Sequence, residues 1–312
     1  MIYKSILSLI GNTPIVEVTH LDTGPCRLFV KLESQNPGGS IKDRIALSMI
    51  EAAERDGKLK PGGAIVEATA GNTGVALALI AALKGYKVIL AVLDKMAPQT
   101  VLQCKALGAE VHMAQSKLTI EHPDYYQNMA KRIVAETNGF YINQFGNPAN
   151  PDAHIRTTGP EIWEQMEHDV DAIVCGVGSG GTITGVGTYF ANVSPKTEMI
   201  LADPEGSILA PLINTGERIK PGSWQVVGIG EDFVPPIFNA KLVKKAYTIP
   251  DRESFDVVHD MFLKEGISAG LSSGTLISAA LRYCREQKTP KRVVTFVCDQ
   301  GAKYLQKVIA GV

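Results

Sequence analysis

The feature that most constrains this chain is an alternation of short apolar runs with segments of helical period. Candidate strands at Leu28–Lys31, Ala64–Glu67, Lys87–Leu93, Glu110–Met113, Phe140–Asn143, Ala172–Cys175, Glu198–Ala202 and Arg292–Val297 are separated by helical stretches. That pattern packs as helices over mostly parallel sheets, an α/β architecture. From Ser40 to Asp56 the apolar residues Ile41, Ile45, Met49 and Ala53 recur every four positions, and Gly57 supplies a stop. Asn72–Leu83, Pro98–Leu107, Gly181–Ala191, Asp251–Lys264 and Ser273–Glu286 read the same way. The run Asn147-Pro148-Ala149-Asn150-Pro151 predicts a turn cluster, and with it a crossover between two lobes.

Bulk properties exclude several classes. The 312 residues carry a formal net charge of −1, so there is neither a basic surplus for nucleic acid nor an acidic tail. The longest apolar run, Val75–Leu83, falls short of the ~20 residues that a bilayer needs. No charged start leads into a sustained apolar stretch, which argues against a secretory signal. Cys26, Cys104, Cys175, Cys284 and Cys298 are scattered and without CxxC spacing, as expected of reduced thiols in a cytoplasm. The histidines are dispersed, so no metal site is expected.

Four motifs can carry chemistry. In Asn36-Pro37-Gly38-Gly39-Ser40-Ile41-Lys42-Asp43-Arg44, Pro-Gly-Gly forces a turn, Ser40 can cap the helix and Lys42 lies in its first turn. The positive end of the helix dipole disfavours an ammonium there and favours a nucleophilic amine, although a solvated lysine is the plainer alternative. Thr69-Ala70-Gly71-Asn72-Thr73-Gly74 follows a strand and opens a helix. It is either a nest for a carboxylate or an ordinary capped turn. Gly176-Val177-Gly178-Ser179-Gly180-Gly181-Thr182 lets backbone approach an anion at a helix N-terminus. It also matches the dinucleotide fingerprint, with Asp203 about 20 residues on where a ribose-binding acid is expected. An NAD-dependent dehydrogenase is therefore the rival from another class, but it leaves Lys42 and the Thr69–Thr73 loop without a purpose. Gly270-Leu271-Ser272-Ser273-Gly274 reads as a functional turn or a plain N-cap.

In this order the pieces resemble the cysteine synthase and cystathionine β-synthase group of fold-type II pyridoxal-phosphate enzymes, from Gly11-Asn12-Thr13-Pro14 to Asp299-Gln300-Gly301-Ala302-Lys303-Tyr304. The resemblance implies a two-lobed, tryptophan synthase β-like fold. Residues 40–146 would form the smaller lobe, and 1–39 with 147–312 the larger. It further implies pyridoxal 5'-phosphate linked covalently to Lys42, with Asn72 at the ring hydroxyl and Gly178, Ser179, Gly180, Gly181 and Thr182 at the phosphate. Ser272 would meet the pyridine nitrogen. Thr69, Ala70, Gly71, Asn72, Thr73 and Gln144 would grip the substrate carboxylate. The implied reaction is β-replacement on serine, O-acetylserine or cysteine through an aminoacrylate, with Lys42 moving the α-proton, in a homodimer.

Asp203-Pro204-Glu205-Gly206-Ser207-Ile208-Leu209 and Gly228-Ile229-Gly230-Glu231-Asp232-Phe233-Val234-Pro235 look like the cystathionine β-synthase branch. Glu231 departs from that branch's usual tyrosine, and Ala70 from a common serine. Unless it is a plain surface acid in a Gly-rich loop, Asp232 would sit near the pocket mouth. There it could deprotonate a thiol, receive an amino group from homocysteine, or activate water for a sulfide-releasing reaction. An upstream haem segment and C-terminal nucleotide-binding modules are not expected.

Overall fold

Two separate sheets divide the strands, and the chain visits them in an order that leaves both termini on one sheet. In the computed structural model, which describes residues 2–310 except 70, 95, 116, 119 and 120, the chain opens with β1 (Ile15–Val18) and β2 (Arg27–Lys31). Next come β3 (Ala64–Thr69), β4 (Lys87–Leu93), β5 (Glu110–Ala114) and β6 (Phe140–Tyr141), then β7 (Ala172–Gly176), β8 (Glu198–Pro204), β9 (Val243–Ile249) and β10 (Arg292–Phe296). The middle four form a parallel sheet in the order β5-β4-β3-β6. The others form a six-stranded sheet, β1-β2-β10-β7-β8-β9, in which β1 alone runs antiparallel to its neighbour.

The central strands are buried on both faces, which is why they read as continuous apolar runs rather than alternating ones. Helices α1 (Lys42–Arg55), α2 (Asn72–Lys84), α3 (Pro98–Ala106) and α4 (Tyr126–Thr137) accompany the smaller sheet, whose core includes Ile65, Leu77 and Leu90. After them come α5 (Ala149–Ala153), α6 (Gly159–Gln165), α7 (Gly181–Val193), α8 (Leu209–Thr215), α9 (Asp251–Glu265), α10 (Leu271–Arg285) and α11 (Leu305–Ala310). The larger sheet's core includes Val174, Ile200, Ile277 and Phe296.

Sequence and structure differ in several places. β1 and β9 went unpredicted because they are edge strands with exposed positions, Lys244 and Lys245 among them, and so lack a sustained apolar signal. Helices α4, α8 and α11 also went unpredicted. The expected turn cluster at Pro148–Pro151 is instead the start of a helical segment reaching Gln165, because Pro151 falls in its first turn, where a missing N–H costs nothing. That segment widens to a π-helix at His154–Thr158, just before Pro160.

Candidate active site

The loops that leave β3, β7 and β10 at their C-terminal ends converge, as ligand-binding loops do in parallel sheets. Lys42, Asn72, the loop Gly178–Thr182 and Ser272 line one cleft of about 560 Å³, partly open to solvent. Lys42 is the first residue of α1, and its backbone N–H donates to Ser40 Oγ at 3.2 Å, so Ser40 does bond into the helix start. The side chain is half-buried. Burial pulls the Lys42 ammonium below its usual range, while Cys298, Asp299 and Glu231 oppose that shift.

Across the cleft, Gly180 caps the 13-residue α7 with φ +88°. A Cβ there would stand 2.7 Å from Phe238 Cβ, and one at Gly178 would stand 2.5 Å from the Gly228 carbonyl oxygen. These positions admit glycine alone, which leaves the backbone N–H groups bare toward the cleft. Ser179 Oγ accepts from Asn150 Nδ2 at 3.0 Å and so keeps its own proton to give. Thr182 Oγ1 lies 3.2 Å from His154 Nε2, and burial drives that imidazole down to about 3, so it is neutral. A hydroxyl-bearing loop on a helix N-terminus, with an amine facing it, fits a phosphate group whose far end carries an aldehyde.

Asp203 is fully buried, with Oδ2 accepting from the Ala210 N–H at 2.8 Å. It supports the start of α8 and is not presented to a ribose, which removes the second half of the dinucleotide fingerprint.

Thr69, Thr73 and Gln144 form a neighbouring cluster rather than part of the cleft lining. Thr73 Oγ1 donates to Gln144 Oε1 at 2.8 Å, and the Gly71 N–H donates to Thr69 Oγ1 at 3.2 Å. Beneath them the fully buried Glu67 accepts from the Ala68 N–H at 2.9 Å and the Gln144 N–H at 3.2 Å. Burial pushes its carboxyl up to about 8. Ala70 lies outside the described residues. Asp232 is exposed and outside both groups, and its charge acts on the Tyr125 phenol, raising it after burial does.

Sequence reasoning missed the groups that hold these residues. Asn72 does not cap its helix: Nδ2 donates to Asp299 Oδ2 at 2.8 Å, and Oδ1 accepts from Lys303 Nζ at 2.7 Å. Two residues past Lys42, buried Arg44 donates to Glu33 at 2.7 and 2.8 Å and to Glu161 at 2.7 Å. Burial alone would raise the Glu33 carboxyl, but Arg44 outweighs it and holds the group at about 2. Such partners are far apart in the chain. The one local signal was charged residues placed in apolar surroundings.

A model of the family described as pyridoxal-phosphate dependent enzymes matches residues 6–299. The chain belongs to this family. It is thus an enzyme whose cofactor is pyridoxal phosphate, and the dehydrogenase alternative falls. Cystathionine beta-synthase of Apis mellifera is 37% identical over 99% of this chain, which spans only 62% of that protein. Cysteine synthase A of Escherichia coli (strain K12) is 39% identical, covering 96% of this chain and 93% of that protein. Among solved structures, O-ureido-L-serine synthase superposes with TM-score 0.92 at 32% identity, covering 100% of this chain and 96% of that one. A hydrogen sulfide-producing enzyme from Fusobacterium nucleatum superposes with TM-score 0.89 at 34% identity, covering 97% of this chain and 100% of that one. These likenesses agree with the expected fold and with β-replacement or sulfide-releasing chemistry. Among the described residues no helix is long and apolar enough to cross a membrane.

Proposed function

We propose that this enzyme performs β-replacement on serine, O-acetylserine or cysteine, joining a thiol to the β-carbon to give cystathionine or cysteine. The observation that carries this reading is the half-buried Lys42 amine facing a glycine loop at a helix N-terminus across one cleft. When bound, pyridoxal phosphate supplies an electron sink that makes the α-hydrogen acidic and the β-substituent a leaving group.

Each side chain then has a defined task. Lys42 would hold the cofactor, and its amine, whose ammonium form burial disfavours, would take and return the α-proton. Gly178–Thr182 hold the phosphate through backbone N–H groups and hydroxyls. Asn72 meets the ring oxygen. Ser272 meets the pyridine nitrogen, where a hydroxyl, unlike a carboxylate, does not stabilise a proton, so elimination and replacement are favoured. Thr69, Ala70, Gly71, Asn72, Thr73 and Gln144 receive the substrate carboxylate. Asp232 deprotonates the incoming nucleophile.

Residues 40–146, which contain the four-stranded sheet, act as a smaller lobe closing on a larger one of 1–39 and 147–312, and closure excludes water from the reacting centre. The enzyme works as a homodimer in the cytoplasm, a setting with which its five free cysteines agree. A second reading, release of sulfide from cysteine by water, is favoured by the likeness to the Fusobacterium nucleatum enzyme. Mass spectrometry of products from each donor paired with homocysteine, sulfide or water alone tests both. A protein that forms no β-substituted product and releases no sulfide with any pairing would overturn them.

A further inference from the structure

We propose that Asp299 and Lys303 are positioning residues that fix the Asn72 carboxamide as a hydrogen-bond donor into the cleft, aimed at an ionised oxygen on the cofactor ring. The inference rests on the role proposed above for Asn72 and adds which atom of it is presented, and why.

Asn72 is the first residue of α2 and lines the cleft. Its amide nitrogen donates to Asp299 Oδ2 at 2.8 Å, and its amide oxygen accepts from Lys303 Nζ at 2.7 Å. An ammonium has donors only, so the atom facing Lys303 must be the oxygen, and the flip of the carboxamide is determined rather than free. An amide nitrogen carries two hydrogens. One goes to Asp299, and no second bond of that nitrogen is found among the described residues. The charge on Lys303 draws density from the amide carbonyl and strengthens the remaining N–H as a donor.

Asp299 is itself held in place. It is 2% exposed, its Oδ2 also accepts from the Tyr304 hydroxyl at 2.9 Å, and its backbone oxygen accepts from the Gly270 N–H at 3.0 Å. Its Oδ1 is buried without a hydrogen-bond partner among the described residues and packs against Gly270, where a Cβ would collide with it. Cys298, the preceding residue, is part of the cleft wall. The carboxamide therefore offers the cleft an N–H, with its oxygen turned to Lys303. An ionised ring oxygen is the stronger acceptor for that donor, whereas the proton of a ring hydroxyl could not be taken by the carboxamide oxygen, which is turned to Lys303.

The test titrates apoprotein with pyridoxal phosphate, following intrinsic fluorescence, and records the absorption of the bound cofactor at one fixed pH. Asp299→Ala and Lys303→Met should each weaken binding about tenfold, as expected for about one lost hydrogen bond. Each should also shift the absorption toward the form with a protonated ring oxygen. Asp299→Asn keeps an acceptor for Asn72 and should retain most of the affinity. Combined with Asn72→Ala, neither change should weaken binding beyond Asn72→Ala alone, because both act through that side chain. Additive losses, or unchanged affinity and spectrum in both single variants while Asn72→Ala loses them, would overturn the proposal. Wild-type binding by Asn72→Ala would instead sink the role of Asn72, and the proposal with it. If Asp299→Ala does not fold, Lys303→Met at a half-buried position decides the question alone.

Discussion

Asn150 Nδ2 donates to Ser179 Oγ at 3.0 Å, tying α5 to the glycine loop. The same nitrogen donates to the Gln144 carbonyl oxygen at 2.7 Å, so one buried amide joins the loop proposed for the phosphate to the cluster proposed for the carboxylate. Asn150→Ala removes both bonds in a place water does not reach. We expect a stability loss of about 1–3 kcal/mol in urea unfolding, together with weaker cofactor retention. Loss of stability with cofactor affinity untouched would show that the link is only structural.

Borohydride reduction of the holoenzyme followed by peptide mapping should place the cofactor on Lys42. Lys42→Ala should lose covalent attachment and β-replacement together. A label on any other lysine would remove Lys42 from the centre of the site.

Gly180 holds φ +88° with Phe238 against its Cα. Gly180→Val should both strain the backbone and collide with Phe238, displacing the loop and weakening cofactor binding by tenfold or more, in keeping with the ~1–3 kcal/mol cost of such strain. Equal affinity in a folded Gly180→Val protein would mean that the phosphate binds elsewhere.

Glu67 supplies a pH test. Its carboxyl, raised to about 8 by burial, keeps a proton that the unfolded chain gives up near the ordinary ~4.3. Between those values the native state binds more protons, so stability falls as pH rises through the window. Asp43, raised to about 7 by burial, adds the same sign. Glu67→Gln mimics the protonated acid and should flatten the decline in urea midpoint between about pH 5 and pH 8. An unchanged slope would show that Glu67 is ionised in the fold.

Asp232 should act on the second half-reaction. A thiol attacks as thiolate; sulfide is already substantially ionised near neutral pH, homocysteine much less so, and water least. Asp232→Asn should leave loss of the β-substituent nearly intact while slowing addition of homocysteine or water by about 10²-fold and sparing sulfide. Stopped-flow spectra separate the two steps. Equal slowing of all nucleophiles, or a slowed first step, would give Asp232 a structural or donor-binding role.

What the sequence determined by itself is local. Period and turn chemistry set the central strands and α1, α2, α7, α9 and α10, because doubly buried strands and capped helices write their environment into adjacent residues. The glycines around Gly180 and the lysine at a helix start were legible for the same reason: a backbone conformation and a helix end are properties of a few consecutive residues. The edge strands β1 and β9 and the helix begun at Ala149 were not legible, since exposure and first-turn prolines blur the pattern. Only the tertiary structure decided that Asp203 supports α8 and faces no ribose, and that Asn72 reaches Asp299, 227 residues away, instead of capping its own helix. It also decided that Glu33 stays charged in the interior beside Arg44 while Glu67, without a cation, keeps its proton. A buried carboxyl's charge and an amide's orientation depend on which partners the fold brings within about 3 Å, and partners from distant strands leave no mark in the neighbouring sequence.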